Sequence, residues 1–197
     1  LIDSDKDPSV ILLHYPSILE DTINYIPPRV KIEISCLSMD EPTELRPIRS
    51  LIGESFDGED TDAESLVRTV VPTRTFLEKL FLLAEEFQKE KPRSVRMSRH
   101  LYDLEKLMDT EYGKDALSNR KLYDAIVEHR KTYYALKYVN YDLHTPSTIN
   151  FTIPESAMEA WQDDYADMRR FFIYGESLEF GALIQKMKEL QERVRIM

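Results

Sequence analysis

The hydrophobic pattern changes its period near Pro72 and divides the chain into a β-rich front part and a helical remainder. In the front part, Val30, Ile32 and Ile34 alternate with charged or polar side chains along Arg29–Ser35. Such alternation predicts a strand with one buried face. Behind Pro72, apolar residues recur every three or four positions, which is typical of helices that share a core.

Three strands are predicted in the front part. They cover Ser9–Tyr15, Arg29–Ser35 and Leu66–Val71. Short helices are expected between Pro16 and Tyr25 and around Ile48–Gly53, and the acidic stretch Ser55–Glu64 is typical of a solvated loop. Because three strands cannot easily cover their own edges, we expect them to be part of a sheet.

Five helices are predicted behind the strands. The first begins with a capping box formed by Thr75 and Glu78 and ends before Pro92. The others cover Ser98–Gly113, Ala116–Tyr138, a segment from Pro154 to Tyr174, and Leu178–Val194, with a loop at Asn140–Thr152. The predicted fold class is α+β, with a partial sheet of about three strands at residues 1–71 and a helical bundle at residues 72–197.

Composition excludes several classes of protein. The net charge of −10 argues against a dedicated nucleic-acid binder, but it permits an enzyme that handles RNA in one basic groove. The single cysteine, Cys36, excludes an internal disulfide and favours a cytoplasmic protein. No apolar run approaches the roughly 18 residues of a membrane span. The chain begins with Leu1 rather than methionine, which indicates processing, truncation or proteolysis.

Several segments resemble one family when they are taken in order. They are Tyr15-Pro-Ser17 with Val30–Ser35, Val71–Leu80, Ser98–Leu104, and the tail from Trp161 to Gly175. Together they resemble the AbiEii family of nucleotidyltransferase-like toxins, which belong to bacterial abortive infection and type IV toxin–antitoxin systems. The resemblance implies a fold similar to DNA polymerase β-type nucleotidyltransferases. It also implies a nucleoside triphosphate with Mg²⁺, an RNA acceptor such as tRNA, a role in phage defence, and a separately encoded antitoxin without stable contact.

The first motif of the family is missing. That motif is a Gly-Ser pair followed by Asp-x-Asp, and the chain contains no Gly-Ser pair, while its Asp-x-Asp sequences at Asp60–Asp62 and near Asp3 lack the preceding strand. We therefore expect the motif to lie upstream of Leu1. The resemblance then predicts that this chain is the C-terminal part of a toxin and is inactive alone.

Glu33 matches the third metal-binding carboxylate of the family. It lies with Lys31 on the polar face of the predicted strand, as a ligand for Mg²⁺ on a nucleotide requires. The family has aspartate at this position, and the longer glutamate shifts the oxygens. The alternative interpretation is an exposed strand residue.

Lys79, Arg99 and Asp103 match the helical motifs of the family. The resemblance assigns Lys79 to a substrate phosphate, and the alternative is a surface lysine that extends its stem over apolar side chains. Arg99 and Asp103 are four residues apart on one helix face. They either orient the substrate phosphate or form a surface ion pair.

The segment Lys91–Arg99 is the most basic stretch of the chain and includes Arg96. It is the candidate contact for phosphate or RNA, against the alternative of a solvated loop. His100 is expected to be a packing histidine. The tyrosines at 133, 134, 138 and 141 are expected to pack with a polar tip, although such rings also stack on bases.

Three functions remain open from the sequence. The chain is either a nucleotidyltransferase, a catalytically inactive helical module that binds another protein, or a helical domain with accidental similarity. The predicted catalytic residues are Glu33, Lys79 and Asp103. The predicted phosphate-binding residues are Lys31, Arg96 and Arg99.

Overall fold

A computed structural model describes residues 10–17, 27–34, 43–56 and 64–197. Its front part contains four strands: β1 (Val10–His14), β2 (Arg29–Glu33), β3 (Thr43–Arg49) and β4 (Glu64–Val70), with a short helix α1 (Leu51–Ser55). β1 pairs with β2 and β3 pairs with β4, both antiparallel. The α+β class is confirmed, and the strands of the described residues form two small sheets rather than one.

The strand β3 was not predicted, because a proline in the middle of a segment, here Pro47, argues against a regular strand. Pro47 faces Leu66 in the register of β3 and β4. Each strand of a two-stranded sheet has an open edge, where proline loses no ladder hydrogen bond. The predicted helix at Ile48–Gly53 is therefore wrong at its start. The observed α1 begins at Leu51, and the hydroxyl of Ser50 accepts a hydrogen bond from the Gly53 N–H at 2.9 Å.

The sequence predicted one buried face for β2, and this prediction is wrong for the described residues. All of β2 is exposed, including Val30 and Ile32. An alternating pattern predicts that a segment forms a strand, but it does not predict whether another element packs on the apolar face of that strand. The predicted helix after Pro16 lies almost wholly outside the described residues, as does most of the loop at Ser55–Glu64.

Six longer helices form the remainder of the chain. They are α2 (Pro72–Glu86), α3 (Ser98–Leu107), α4 (Glu111–Ser118), α5 (Arg120–His129), α6 (Met158–Phe171) and α7 (Phe180–Arg195). A π-helical turn at Arg130–Tyr134 continues α5, and single 3-10 turns lie at Tyr141–Leu143 and Glu155–Ala157. In the part of the chain that the structure describes, no helix is long and apolar enough to cross a membrane.

Helix α2 lies at the centre of the helical part. It packs on α3, α4 and α5, and α3 packs in turn on α6 and α7. Its apolar residues Phe76, Leu80 and Phe81 are fully buried, as is Trp161 of α6, whose ring lies 5.0 Å from that of Phe87. The periodicity of apolar residues therefore predicted the core correctly.

The predicted capping box is wrong because α2 begins three residues before Thr75. Pro72 occupies its first turn, where the missing N–H costs nothing. Glu78 is thus in the second turn of the helix, and its carboxylate accepts hydrogen bonds from Arg74 and Arg130 instead.

The predicted helix Ser98–Gly113 is two helices. Thr110 begins the second one by accepting the Gly113 N–H at 3.3 Å. A Cβ on Gly113 would lie 2.3 Å from the carbonyl oxygen of Leu107, so only glycine permits this close turn. The predicted helix Ala116–Tyr138 is also divided, because the Asn119 side chain caps α5 and Ala135 ends the π turn in a left-handed conformation.

A buried group of charges fastens α2 to the π turn. The Nε of Arg130 donates to Glu85 Oε1 at 2.7 Å and its Nη2 donates to Oε2 at 2.5 Å. A further hydrogen bond from Arg130 reaches Glu78, which also accepts from Arg74. Burial opposes the charge of Arg130, but the contacts with Glu85 and Glu78 outweigh it and raise the pKa of the guanidinium. The arginine therefore stays charged inside the helical part.

We expect Arg130→Met to destabilise the protein by about 3–5 kcal/mol, because it leaves Glu85 buried and unpaired. The double variant R130M/E85Q should be less destabilised than the sum of its single variants. Urea denaturation measures both. The control is Arg120→Ala, which breaks an exposed pair with Asp124 and should change stability by less than about 1 kcal/mol. Additive effects of the two buried substitutions would contradict the coupling.

Candidate active site

Lys79 and Asp103 come together where α2 crosses α3. The Nζ of Lys79 lies 2.6 Å from Asp103 Oδ2, and both side chains are only partly exposed. The sequence placed both residues in the candidate site but paired Asp103 with Arg99. The structure pairs Asp103 with Lys79 instead, and Arg99 lies exposed one turn earlier on α3. Lys79, Asp103 and the exposed Arg99 thus lie along one edge of the helix pair.

His100 lies beside this pair and is buried. Burial and the charges of Lys79, Arg99 and Arg93 lower the pKa of its imidazole to about 4. The imidazole is therefore neutral at pH 7, and the site keeps its positive charge on lysine and arginine. Burial agrees with the expected packing role.

The basic stretch Lys91–Arg99 is held at its start by Glu86. This buried carboxylate accepts hydrogen bonds from the backbone N–H of Arg93 at 2.8 Å, from the Arg93 guanidinium, and from Lys89 at 2.8 Å. Burial alone would raise the pKa of Glu86, but the hydrogen bonds from Arg93 and Lys89 lower it. The stretch is therefore anchored rather than a free loop.

Asp164 of α6 holds the end of the same stretch. Its carboxylate accepts the backbone N–H of Arg96 at 2.5 Å and that of Ser98 at 3.0 Å, and the Ser98 hydroxyl at 2.5 Å. Arg96 has a φ of 58°, a left-handed conformation that non-glycine residues seldom adopt. Asp164 caps α3 from another helix and so orients Arg99 and Asp103. Neither Asp164 nor Glu86 was predicted from the sequence: Asp164 bonds to groups on a distant segment of the chain, and Glu86 stands in no motif that distinguishes it from other helical glutamates.

The other predicted residues, Lys31 and Glu33, lie on β2. Their side chains form an exposed ion pair with an Nζ to Oε1 distance of 2.6 Å. Among the residues that the structure describes, no group of three histidine, cysteine, aspartate or glutamate side chains is arranged to hold a metal ion.

A family model described as nucleotidyl transferase AbiEii toxin, type IV TA system, matches residues 2–187. The chain belongs to the AbiEii family. Comparison with curated proteins gave no significant match, and neither did comparison with solved structures. Membership identifies a nucleotidyltransferase-like toxin and implies an antitoxin as its partner. The match includes the segments that carry Glu33, Lys79, Arg99 and Asp103.

We expect the AbiEii chain to lose stability in acid through two buried histidines. The pKa of His144, like that of His100, is lowered to about 4, mainly by burial. As the pH falls, the unfolded chain protonates both imidazoles near their ordinary pKa of about 6.5, whereas the folded protein protonates them only near pH 4. Lowering the pH from 7 to 4.5 should therefore reduce the free energy of unfolding by about 2 kcal/mol for each of the two histidines.

Urea denaturation of the wild type and of H100Q and H144Q at both pH values measures this effect. The difference between wild type and variant removes the contribution of the carboxylates. Variants whose stability falls with acid as steeply as that of the wild type would contradict the assignment.

We also expect Asp164→Ala to destabilise the protein by about 2–4 kcal/mol, because it leaves buried N–H groups of the α3 start without an acceptor. The neighbouring Asp163 is exposed on the same helix and provides the matched control. Asp163→Ala should stay within about 0.5 kcal/mol of the wild type. Thermal or urea unfolding compares the two, and equal losses would show that Asp164 has no special role.

Proposed function

We propose that this AbiEii protein transfers a nucleotidyl group from a nucleoside triphosphate to an RNA acceptor such as tRNA. The single observation that carries the proposal is the Lys79–Asp103 ion pair. It joins two residues that the family resemblance assigned to one site and that lie on different helices.

The geometry supports a role for Lys79 in binding the triphosphate. An ammonium has three N–H donors, so Lys79 can stay bonded to Asp103 and still donate to a phosphate oxygen. Asp103 fixes the direction of the ammonium, and the exposed Arg99 adds a second cation on the same edge. In the transfer, an RNA hydroxyl attacks the α-phosphorus and pyrophosphate leaves. Lys79 and Arg99 would offset the charge that develops on the phosphate oxygens.

Mg²⁺ belongs to this proposal only for the complete active site. Glu33 is the ligand that the resemblance assigns, with Lys31 beside it as a phosphate contact, and Arg96 belongs to the basic stretch near Lys79. Glu33 is paired with Lys31 in the structure, and Mg²⁺ on a nucleotide is held by one or two carboxylates together with the phosphates. We assign no step of the reaction to the metal.

The remaining parts of the proposal concern biology. We infer a cytoplasmic toxin that acts in phage defence and whose antitoxin acts without stable contact. Support comes from the type IV toxin–antitoxin family and from the single cysteine.

The test measures transfer of label from each of the four α-³²P nucleoside triphosphates to total tRNA, using the full-length product of the gene. Lys79→Met should reduce transfer about a hundredfold or more, as expected for loss of a charge that stabilises the transition state. Asp103→Asn should reduce it less, because the ammonium remains but is no longer oriented. The control is Lys121→Met, an exposed lysine on α5.

Growth arrest on expression provides a second measurement with the same variants. If Lys79→Met and Asp103→Asn remain fully toxic, the proposed chemistry is wrong. The alternative of an inactive helical interaction module would then be preferred.

A further inference from the structure

Three tyrosine rings are exposed together at the π turn and directly after it. The exposed fractions are 63% for Tyr133, 39% for Tyr134 and 44% for Tyr138. The sequence predicted that these tyrosines pack with a polar tip. This prediction is wrong for Tyr133, which is mostly exposed, while the rings of Tyr134 and Tyr138 are exposed in part and packed in part. Contiguous exposed patches of large side chains mark interaction sites, whereas single exposed ones are normal.

Two of the exposed rings pack on side chains of α5 and of the π turn. Arg130 is fixed by Glu85, and its guanidinium carbon lies 4.7 Å from the centre of the Tyr134 ring. The ring of His129 stacks on that of Tyr133 with 4.8 Å between their centres. The rings therefore project to solvent on a rigid base, which lowers the entropy that binding would cost.

Cations border the rings. The Nζ of Lys89 lies 5.1 Å from the centre of the Tyr138 ring, and Lys89 shares the carboxylate of Glu86 with Arg93. Two cations on one buried carboxylate leave positive charge in excess, and the Arg93 side chain is largely exposed. Rings with adjacent cations suit a chain that alternates flat bases with phosphates.

Two interactions relate this surface to the candidate active site. Arg130 bonds to Glu78, the residue before Lys79 on α2. The charges of Arg93 and of Lys79 also both lower the pKa of the His100 imidazole. The cations beside the rings and the lysine of the candidate site therefore act on one common side chain.

We propose that Tyr133, Tyr134 and Tyr138, with Lys89 and Arg93, form a tyrosine face that binds single-stranded RNA. Bases stack on the rings, and phosphates contact the two cations. The tyrosine face would guide the unpaired end of the acceptor RNA toward Lys79. This inference names the substrate region of the proposed function and rests on it.

The chemistry of the tyrosine face favours a single strand over a duplex. A duplex keeps its bases stacked inside, so its surface offers phosphates but no free base faces. With a net charge of −10, the chain repels a polyanion over most of its surface. Stacking should therefore contribute more of the affinity than phosphate contacts, and the salt dependence should be shallow.

The experiment measures the anisotropy of a fluorescent single-stranded RNA of about twelve nucleotides titrated with the full chain, within the roughly 4–16 nucleotides that compact single-strand sites cover. Y133L/Y138L should raise the Kd about tenfold or more, because each lost stacking contact weakens binding about fivefold or more. Y133F/Y138F keeps the rings and should stay within about twofold of the wild type. Tyr174→Leu is the control for a tyrosine exposed elsewhere, after α6.

Three results would overturn the tyrosine face. They are equal binding by Y133L/Y138L and wild type, equal or tighter binding of a fully paired duplex, and no RNA binding by the wild type. Unchanged urea denaturation of Y133L/Y138L shows that a loss of affinity does not come from unfolding.

The assay also separates failure of this inference from failure of the proposed function. Lys79→Met should reduce transfer about a hundredfold or more while the Kd for RNA changes little. Y133L/Y138L should raise the KM for RNA with little change in kcat. If the RNA binds on the rings and no nucleotide is transferred, the tyrosine face stands and the proposed activity fails. If nucleotide is transferred and the tyrosine variants keep the wild-type KM, the tyrosine face fails and the activity stands.

Discussion

The buried contact between Arg130 and Glu85 is the constraint on which the helical part depends most. It joins the end of α2 to the π turn that continues α5. A buried charge pair adds little stability over apolar packing, but one partner without the other is costly, so the pair restricts how the two elements can meet. Arg130 also donates to Glu78, the residue before Lys79, and its guanidinium lies against the ring of Tyr134. A packing constraint thereby determines what the surface offers to a ligand.

Two further carboxylates play a comparable part in the connection between α2 and α3. Glu86 holds Arg93 and Asp164 holds the backbone of Arg96 and Ser98, so the most basic segment of an acidic chain is ordered at both ends. An ordered basic segment loses less entropy on meeting a phosphate than a free loop would. Asp164 also determines where α3 begins, and α3 carries Arg99 and Asp103. The acidic residues near the candidate site thus act as supports for the basic ones.

Much of the candidate site could be predicted from the sequence, but only residue by residue. The family resemblance identified Lys79, Arg99 and Asp103, and hydrophobic periodicity placed them on helices. Which partner Asp103 takes could not be predicted, because spacing within one helix favours Arg99 while the crossing of α2 and α3 brings Lys79 closer. The tyrosines were assigned to packing since rings are usually buried, and their exposure follows from a π turn that has no signature in the sequence.

The sequence by itself determined the class of the fold, the positions of most helices and the family, because periodicity and motif order are local properties of the chain. It also determined the net negative charge, which restricts the binding of a polyanion such as RNA to a few locally basic surfaces. Tertiary structure decided the division of the strands into two sheets, the breaks at Gly113 and Asn119, and the roles of Glu86, Asp164 and Arg130. Asp164 and Arg130 bond to groups far apart in the chain, which meet only when the helices pack. The caps at Thr110 and Asn119 and the contacts of Glu86 are local, but each competes with a continuous helical pattern, and only the folded chain shows which of the two prevails.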